Sequence, residues 1–109
     1  MKYRASGGEE FFLQFVDTRG YIYGLLRLRN DYRIVIRELH VYGQALALSQ
    51  KSPQAPQHCG LGKKLIKKAE EIARQAGQTK ISVIAAIGSR EYYRRLGYRL
   101  QGTYMVKSL

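Results

Sequence analysis

The chain is poor in the residues that make cross-links and metal clusters. It has one cysteine, Cys59, and two histidines, His40 and His58, in 109 residues. One thiol cannot close an internal disulfide, and three scattered ligands do not make the spacing of a zinc cluster. That usage fits a reducing, cytosolic compartment. No apolar run approaches the roughly 20 residues of a membrane span. The start, Met1-Lys2-Tyr3-Arg4, leads into Ala5-Ser6-Gly7-Gly8 instead of an apolar signal core, so the expectation is a cytoplasmic protein with no membrane role. Acidic residues are scarce as well: 8 Asp and Glu stand against 19 Lys and Arg, a net charge of +11. A pI near 10 is the footprint of a chain that works close to polyphosphate, or of a well-solvated basic surface with no such role. The charge is spread over Arg27, Arg29, Arg33 and Arg37 and over Lys63, Lys64, Lys67 and Lys68, so it is not a linear basic arm.

Apolar content of 45% and charged content of 25% are ordinary for a globular chain, and the length allows one domain, 1–109, with one core. Tyr3 to Gly8 reads as an irregular lead-in. Alternation predicts strands over Glu9–Val16 and Tyr21–Arg29, and a longer one over Tyr32–Tyr42, joined by short turns as an antiparallel meander. Gln44–Ser49 reads as a brief strand, and residues 50–56, which hold both prolines, as loop. Leu61, Leu65, Ile66, Ala69, Ile72 and Ala73 recur at helical spacing, predicting a helix over about Leu61–Gln75 stopped by Gly77. Its lysines fall opposite that stripe, the usual mark of a solvated face. Lys80–Ala86 reads as a buried strand, placed by the helix crossover parallel to the third strand. A short helix capped by Ser89 and ended by Gly97 follows, then a last strand over Tyr98–Lys107. The fold class is α/β: a mixed sheet of three antiparallel strands, then helix, strand, helix, strand.

The chain is organised around Gln57-His58-Cys59-Gly60-Leu61-Gly62, which runs directly into the long helix. Such a turn leaves the first helical N–H groups without intrahelical partners, at the positive end of the helix dipole. Glycines at positions 60 and 62 let a bulky anion approach the backbone, which makes a phosphate cradle. A Gly-x-Gly before a helix is also often only a tight connection. A P-loop would need a hydroxyl where Lys64 stands, and a dinucleotide fingerprint would need a third glycine where Lys63, Lys64 and Leu65 stand. What is present, Gln-x-x-Gly-x-Gly, resembles the acetyl-CoA pyrophosphate loop of the GNAT acetyltransferase superfamily.

A second constellation is Arg90-Glu91-Tyr92-Tyr93-Arg94-Arg95-Leu96-Gly97-Tyr98. It resembles the aromatic-Tyr-x-x-x-Gly-aromatic segment of GNAT enzymes, whose tyrosine gives a proton to the departing CoA thiolate; the resemblance puts Tyr93 in that role. A phenol is protonated at neutral pH and can hydrogen-bond negative charge growing on sulfur. Tyr92 and Tyr98 read as packing residues. Glu38 and His40, two apart on the third strand, share a face, and either could deprotonate an amine or poise a water; a strand glutamate more often makes a surface ion pair. His58 reads as a capping or solvent-facing residue, and Cys59 matters more for its amide than for its sulfur.

Longer strings carry a more specific resemblance: Tyr3-Arg4-Ala5-Ser6-Gly7-Gly8, Gly24-Leu25-Leu26-Arg27-Leu28-Arg29, Ile36-Arg37-Glu38-Leu39-His40-Val41-Tyr42-Gly43 and Glu91-Tyr92-Tyr93-Arg94-Arg95-Leu96-Gly97-Tyr98, in that order. The chain resembles, over essentially its whole length, the acetyltransferase domain of the Elongator catalytic-subunit family. That resemblance implies an acetyl-CoA-binding domain in an enzyme that modifies wobble uridines of tRNA at carbon 5. The implied partners are tRNA, an upstream radical-SAM domain and other Elongator subunits. The family's S-adenosylmethionine and iron–sulfur cluster belong to the upstream domain, because one cysteine cannot ligate such a cluster. The chain is then an excised domain or a stand-alone relative. The usual GNAT helices between the first two strands have no room at Asp17-Thr18-Arg19-Gly20, which speaks against ordinary small-amine acetylation. The resemblance assigns acetyl-CoA contacts to Gln57, His58, Cys59, Gly60, Leu61, Gly62, Lys63 and Lys64 at the pyrophosphate. It assigns Leu39, His40, Val41 and Tyr42 to the pantetheine arm and Tyr93 to the sulfur. Lys63, Lys64, Arg94 and Arg95 are candidates for RNA phosphate. Two alternatives stay open: a protein (histone-like) lysine acetyltransferase, and a non-catalytic CoA or tRNA docking module.

Overall fold

The computed structural model describes residues 2–5, 8–47 and 60–109. The predicted loop over 50–56 and the positions Gln57, His58 and Cys59 lie outside the described residues. Strands β1 (Lys2–Ala5), β2 (Gly8–Val16), β3 (Tyr21–Asn30) and β4 (Ile34–Ala47) pair antiparallel in succession. Helix α1 (Leu61–Gln75) then crosses to β5 (Lys80–Ile84), which lies parallel to β4. A 3-10 turn at Ile87–Ser89 leads into α2 (Arg90–Arg95), and β6 (Arg99–Gln101) and β7 (Tyr104–Ser108) complete a 7-stranded sheet in the order β1-β2-β3-β4-β5-β7-β6.

The mixed α/β architecture and the parallel crossover are those the sequence predicts; four details differ. The lead-in at Tyr3 is part of a strand, so the antiparallel run has four members instead of three. The brief strand at Gln44 is the far end of β4, which runs unbroken to Ala47. The single final strand is a hairpin, because Gly102, at φ 61, and Thr103 make a two-residue turn between Gln101 and Tyr104. Ser89 makes no capping bond: its backbone is already in the αR region that ends the 3-10 turn, and its Oγ donates to the Ala86 carbonyl at 2.9 Å. No helix precedes Leu61 among the described residues.

Register shows where the core sits. Phe11 and Leu13 of β2, Leu26 and Leu28 of β3, and Ile36 and Leu39 of β4 face the same way, with Ile81 and Val83 continuing that surface. Both helices pack there, α1 through Leu65, Ile66, Ala69 and Ala73 and α2 through Tyr93. At Gly24 the first turns of α1 rest almost on the β3 backbone, since a Cβ would stand 3.1 Å from Leu65 and 3.2 Å from Leu61. The reverse face carries the row Glu10, Arg29, Val35, Ser82, Val106 and Arg99, and neither α1 nor α2 packs against it.

One polar contact crosses the helix side. Glu70 of α1 is 6% exposed and accepts from the Tyr98 hydroxyl at 2.8 Å and from Lys107 Nζ at 3.2 Å. A buried carboxylate needs such partners, and these two join α1 to the end of α2 and to β7. Removing the acid strands a part-buried ammonium and a buried hydroxyl. Glu70→Ala is expected to cost about 2–3 kcal/mol in urea unfolding, and Tyr98→Phe about 1 kcal/mol. The exposed Lys68→Ala should stay within about 0.5 kcal/mol.

Candidate functional site

The site begins where β4 leaves β5. The two strands pair only at Val35–Ser82 and Ile36–Val83, and beyond these no strand pairs with that edge of β4 among the described residues. The break coincides with a bulge. Leu28 of β3 opposes Ile36 and Arg27 opposes Glu38, so Arg37 is an extra residue on β4. A bulge bends its strand and re-aims the side chains after it. Leu39 and Val41 therefore turn to the helix side, and Glu38 and His40 to the reverse face. Farther on, Tyr42, Gly43, Gln44 and Ala45 together oppose the single Tyr23 of β3.

The first turn of α1 stands at this gap. Gly60 is its N-cap at φ 79, a left-handed conformation that β-carbon-bearing residues rarely adopt. Its carbonyl accepts the first helical bond from the Lys64 amide at 3.0 Å. Among the described residues no side chain caps this end and no acidic residue lies in the first turn, so the leading amides have no described partner at the positive end of the dipole. Together, Leu39, Val41, Gly60, Leu61, Gly62, Lys63 and Tyr92 line an open cleft of about 380 Å³ with apolar walls and a row of amides; among the described residues its lining has one cation and no carboxylate.

Tyr92 is the residue that sequence reasoning missed. It reads as packing, but it is 36% exposed and forms a wall of the cleft. A Cβ on Gly62 would lie 2.5 Å from its hydroxyl. Tyr93 sits behind it, 5% exposed, with ring centroids 5.3 Å from Tyr92 and 5.6 Å from Tyr98, both edge to face. Tyr98 is buried, as expected of a packing residue. The spacing of the motif has a local cause. The Gly97 amide bonds the Arg94 carbonyl at 3.0 Å and the Tyr98 amide bonds the Tyr93 carbonyl at 3.1 Å, the paired bonds of a Schellman cap. In that cap Gly97 takes the left-handed position, at φ 96, and the residue after it packs on the residue three before the C-cap: Tyr98 on Tyr93.

The remaining predicted residues are dispersed. Glu38 pairs with Arg27 at 3.0 Å and with His40 at 3.3 Å, all on the reverse sheet face. The shared face is as expected, but it is opposite the wall formed by Leu39 and Val41. Tyr42 is half-buried in the wide bulge and does not line the cleft. Lys63 lines it, whereas the Lys64 ammonium lies 5.9 Å over the Phe15 ring. Arg94 pairs with Glu91 at 3.3 Å, and Arg95 is exposed. Gln57, His58 and Cys59 are outside the described residues. Among the described residues no group of three or more His, Cys, Asp or Glu could hold a metal ion, and no helix is long and apolar enough to cross a membrane.

Burial pushes the Tyr93 phenol up to about 12, with a smaller push from Tyr92. Burial, together with the bond to Glu70 and its charge, raises Tyr98 as well. Both phenols are held neutral in the folded chain and ionise sooner when it unfolds. Their contribution to stability is whole below the ordinary tyrosine value of 10.0 and declines as the pH rises toward about 12. Urea midpoints are expected to fall across that window, and less steeply in Tyr93→Phe than in the parent chain.

Comparison with known proteins agrees with this geometry. The family described as the acetyltransferase (GNAT) family matches residues 2–98. The chain is 44% identical over 123 residues to the tRNA uridine(34) acetyltransferase of Dehalococcoides mccartyi, an alignment covering 100% of this chain and 27% of that protein. It is 46% identical over 120 residues to human Elongator complex protein 3, covering 98% of this chain and 22% of that one. Among solved structures, the archaeal Methanocaldococcus infernus Elp3 with an N-terminal deletion superposes with a TM-score of 0.82 at 40% identity, over 100% of this chain and 29% of that one. The PaiA N-acetyltransferase of Thermoplasma acidophilum, solved with coenzyme A, shares the fold at a TM-score of 0.63 and 19% identity, over 92% of this chain and 61% of that one. The chain thus spans about a quarter of the length of the Elongator-type relatives it matches. With nearly its whole length matched and the parted strands and glycine-capped helix in place, the chain belongs to the GNAT family of acetyltransferase enzymes.

Proposed function

We propose that the cleft between β4 and the first turn of α1 binds acetyl-CoA, and that the chain binds and cleaves it in support of tRNA wobble-uridine C5 modification. The observation that carries this reading is the meeting, in one cleft, of two backbone surfaces without partners among the described residues: the edge of β4 past Ile36 and the first amides of α1, with no carboxylate among the described lining residues. The amides of residues 61–63, which precede the first helical bond, suit a pyrophosphate together with the Lys63 ammonium. Leu39 and Val41 offer an apolar wall and their strand a free backbone edge, which suits an amide-bearing arm. Acetyl-CoA supplies the acetyl thioester, and the chain binds, orients and protonates. Tyr93, held neutral by burial, is the proton donor to the departing sulfur, and its ring neighbour Tyr92 lines the cleft. The names of the relatives support the tRNA assignment, and so does the basic character of the chain. The S-adenosylmethionine and iron–sulfur chemistry lies with a radical-SAM domain supplied from outside these residues, with tRNA and other Elongator subunits as partners in the cytoplasm.

Calorimetric titration with acetyl-CoA is expected to give saturable binding. Gly60→Asp puts a Cβ on a left-handed residue and a negative charge at the anion site, and should weaken binding at least about tenfold, or ~1.4 kcal/mol. Tyr93→Phe should leave affinity within about twofold and lower thioester cleavage about a hundredfold, the low end for a general acid. Cleavage unchanged in Tyr93→Phe would remove the residue from the mechanism, and binding without any cleavage would favour a docking module.

A further inference from the structure

The reverse face of the sheet carries a second feature, on the half built from β5, β7 and β6. Register places Lys80 and Ser82 of β5, Tyr104 and Val106 of β7, and Arg99 and Gln101 of β6 on that one face. Two shallow cavities of about 310 Å³ each lie there and share Lys80, Gln101 and Val106. Arg33 reaches over from the β3–β4 turn into the first, and Arg99 lines the second. Neither has a carboxylate in its lining. Among the described residues Arg33, Lys80 and Arg99 form no ion pair, although Arg27, Arg29, Arg94 and Lys107 all do. Three unneutralised cations side by side repel one another and cost stability unless an anion covers them.

Flat rings flank the cations. The Arg33 guanidinium lies 4.6 Å above the Tyr104 ring and 5.9 Å from the Tyr32 ring, and it donates to the Tyr104 hydroxyl at 3.1 Å. Tyr32 is 86% exposed, the most exposed large apolar side chain of those described. An acidic protein surface would satisfy the cations but would have no use for an outward-facing ring. A nucleic acid strand uses both, since phosphates take the cations and a base stacks on the aromatic face.

We propose that this face, opposite the acetyl-CoA cleft, is an RNA-binding surface. Lys80 and Arg99 contact backbone phosphates, and Tyr32, beside an Arg33 fixed by Tyr104, stacks a base. The choice of RNA over DNA rests on the tRNA reading above, whereas the surface itself rests on these residues. It differs from Lys63, Lys64, Arg94 and Arg95, which lie on the helix side, one in the cleft wall and one already paired with Glu91.

The test is fluorescence anisotropy of the full chain with a fluorescein-labelled anticodon stem-loop RNA over a series of KCl concentrations. Thermal midpoints verify that each variant is folded. Lys80→Ala with Arg99→Ala is expected to weaken binding and lower the slope of log K against log salt by about one for each cation. Tyr32→Ala should weaken binding roughly tenfold with the slope unchanged, the mark of stacking as opposed to charge. An unchanged slope in the double variant, with a lowered slope in Arg94→Ala/Arg95→Ala, would overturn the surface and leave RNA on the helix side. No saturable binding by the parent chain would overturn the RNA reading and the surface together. Binding of polyglutamate in place of RNA would give the face to an acidic polypeptide and overturn the proposal.

Discussion

The structure depends on one parting of strands. A parallel pair of β4 and β5 could run its full length and bury both edges, but here it ends after two residues on each strand, at Ile36 and Val83. The extra residue Arg37 sets the separation, because a bulge increases local twist and bends its strand. From there, among the described residues, the backbone of β4 has strand partners on one edge only, β3's, and its side chains alternate into two environments. Leu39 and Val41 serve the cleft. Glu38 and His40 join a polar cluster with Arg27 on the far face. The fold thereby builds an open polar edge where an unbroken sheet would have none.

Everything around the gap holds its borders still. Gly24 lets α1 settle on β3, which fixes where the open amides of its first turn stand. Glu70 ties the middle of that helix to Tyr98 and Lys107. Tyr98 is also the residue after the glycine in the cap that ends α2, so one side chain joins both helices and backs the ring of Tyr93. From the cleft inward the order is Tyr92, Tyr93, Tyr98, Glu70 and Lys107, a continuous path from the ligand space to the anchoring ion pair. A phenol set in that row is desolvated and stays protonated, as the proposed chemistry requires.

What could be read from the sequence was what periodicity and punctuation express. The stripe from Leu61 to Ala73 and the stops at Gly77 and Gly97 define both helices, because each rests on a local rule about spacing or left-handed backbone. The crossover to β5 follows from the intervening helix. The bulge at Arg37 was not legible: Ile34 to Val41 alternates acceptably in either phase, so no residue type announces the extra one. Tyr92 and Tyr93 differ only in which side of a helix of six residues they occupy, and the motif draws attention to the second. Glu70 looks like one more solvated acid until Lys107, far along the chain, is found beside it. The lead-in strand β1 has too few residues for any alternation to register. Family resemblance supplied the site assignment that local pattern alone left between a phosphate cradle and a tight turn.

The proposed ligand site joins the gap beside β4 to the first turn of α1. Amide chemical-shift mapping of the nitrogen-15-labelled chain, titrated with acetyl-CoA, tests it most directly. Saturable shifts are expected at Leu39–Val41, Gly60–Lys64 and Tyr92–Tyr93, with β6 and the reverse face of β5 unmoved. Shifts absent from those segments, or confined to the reverse face, would contradict it.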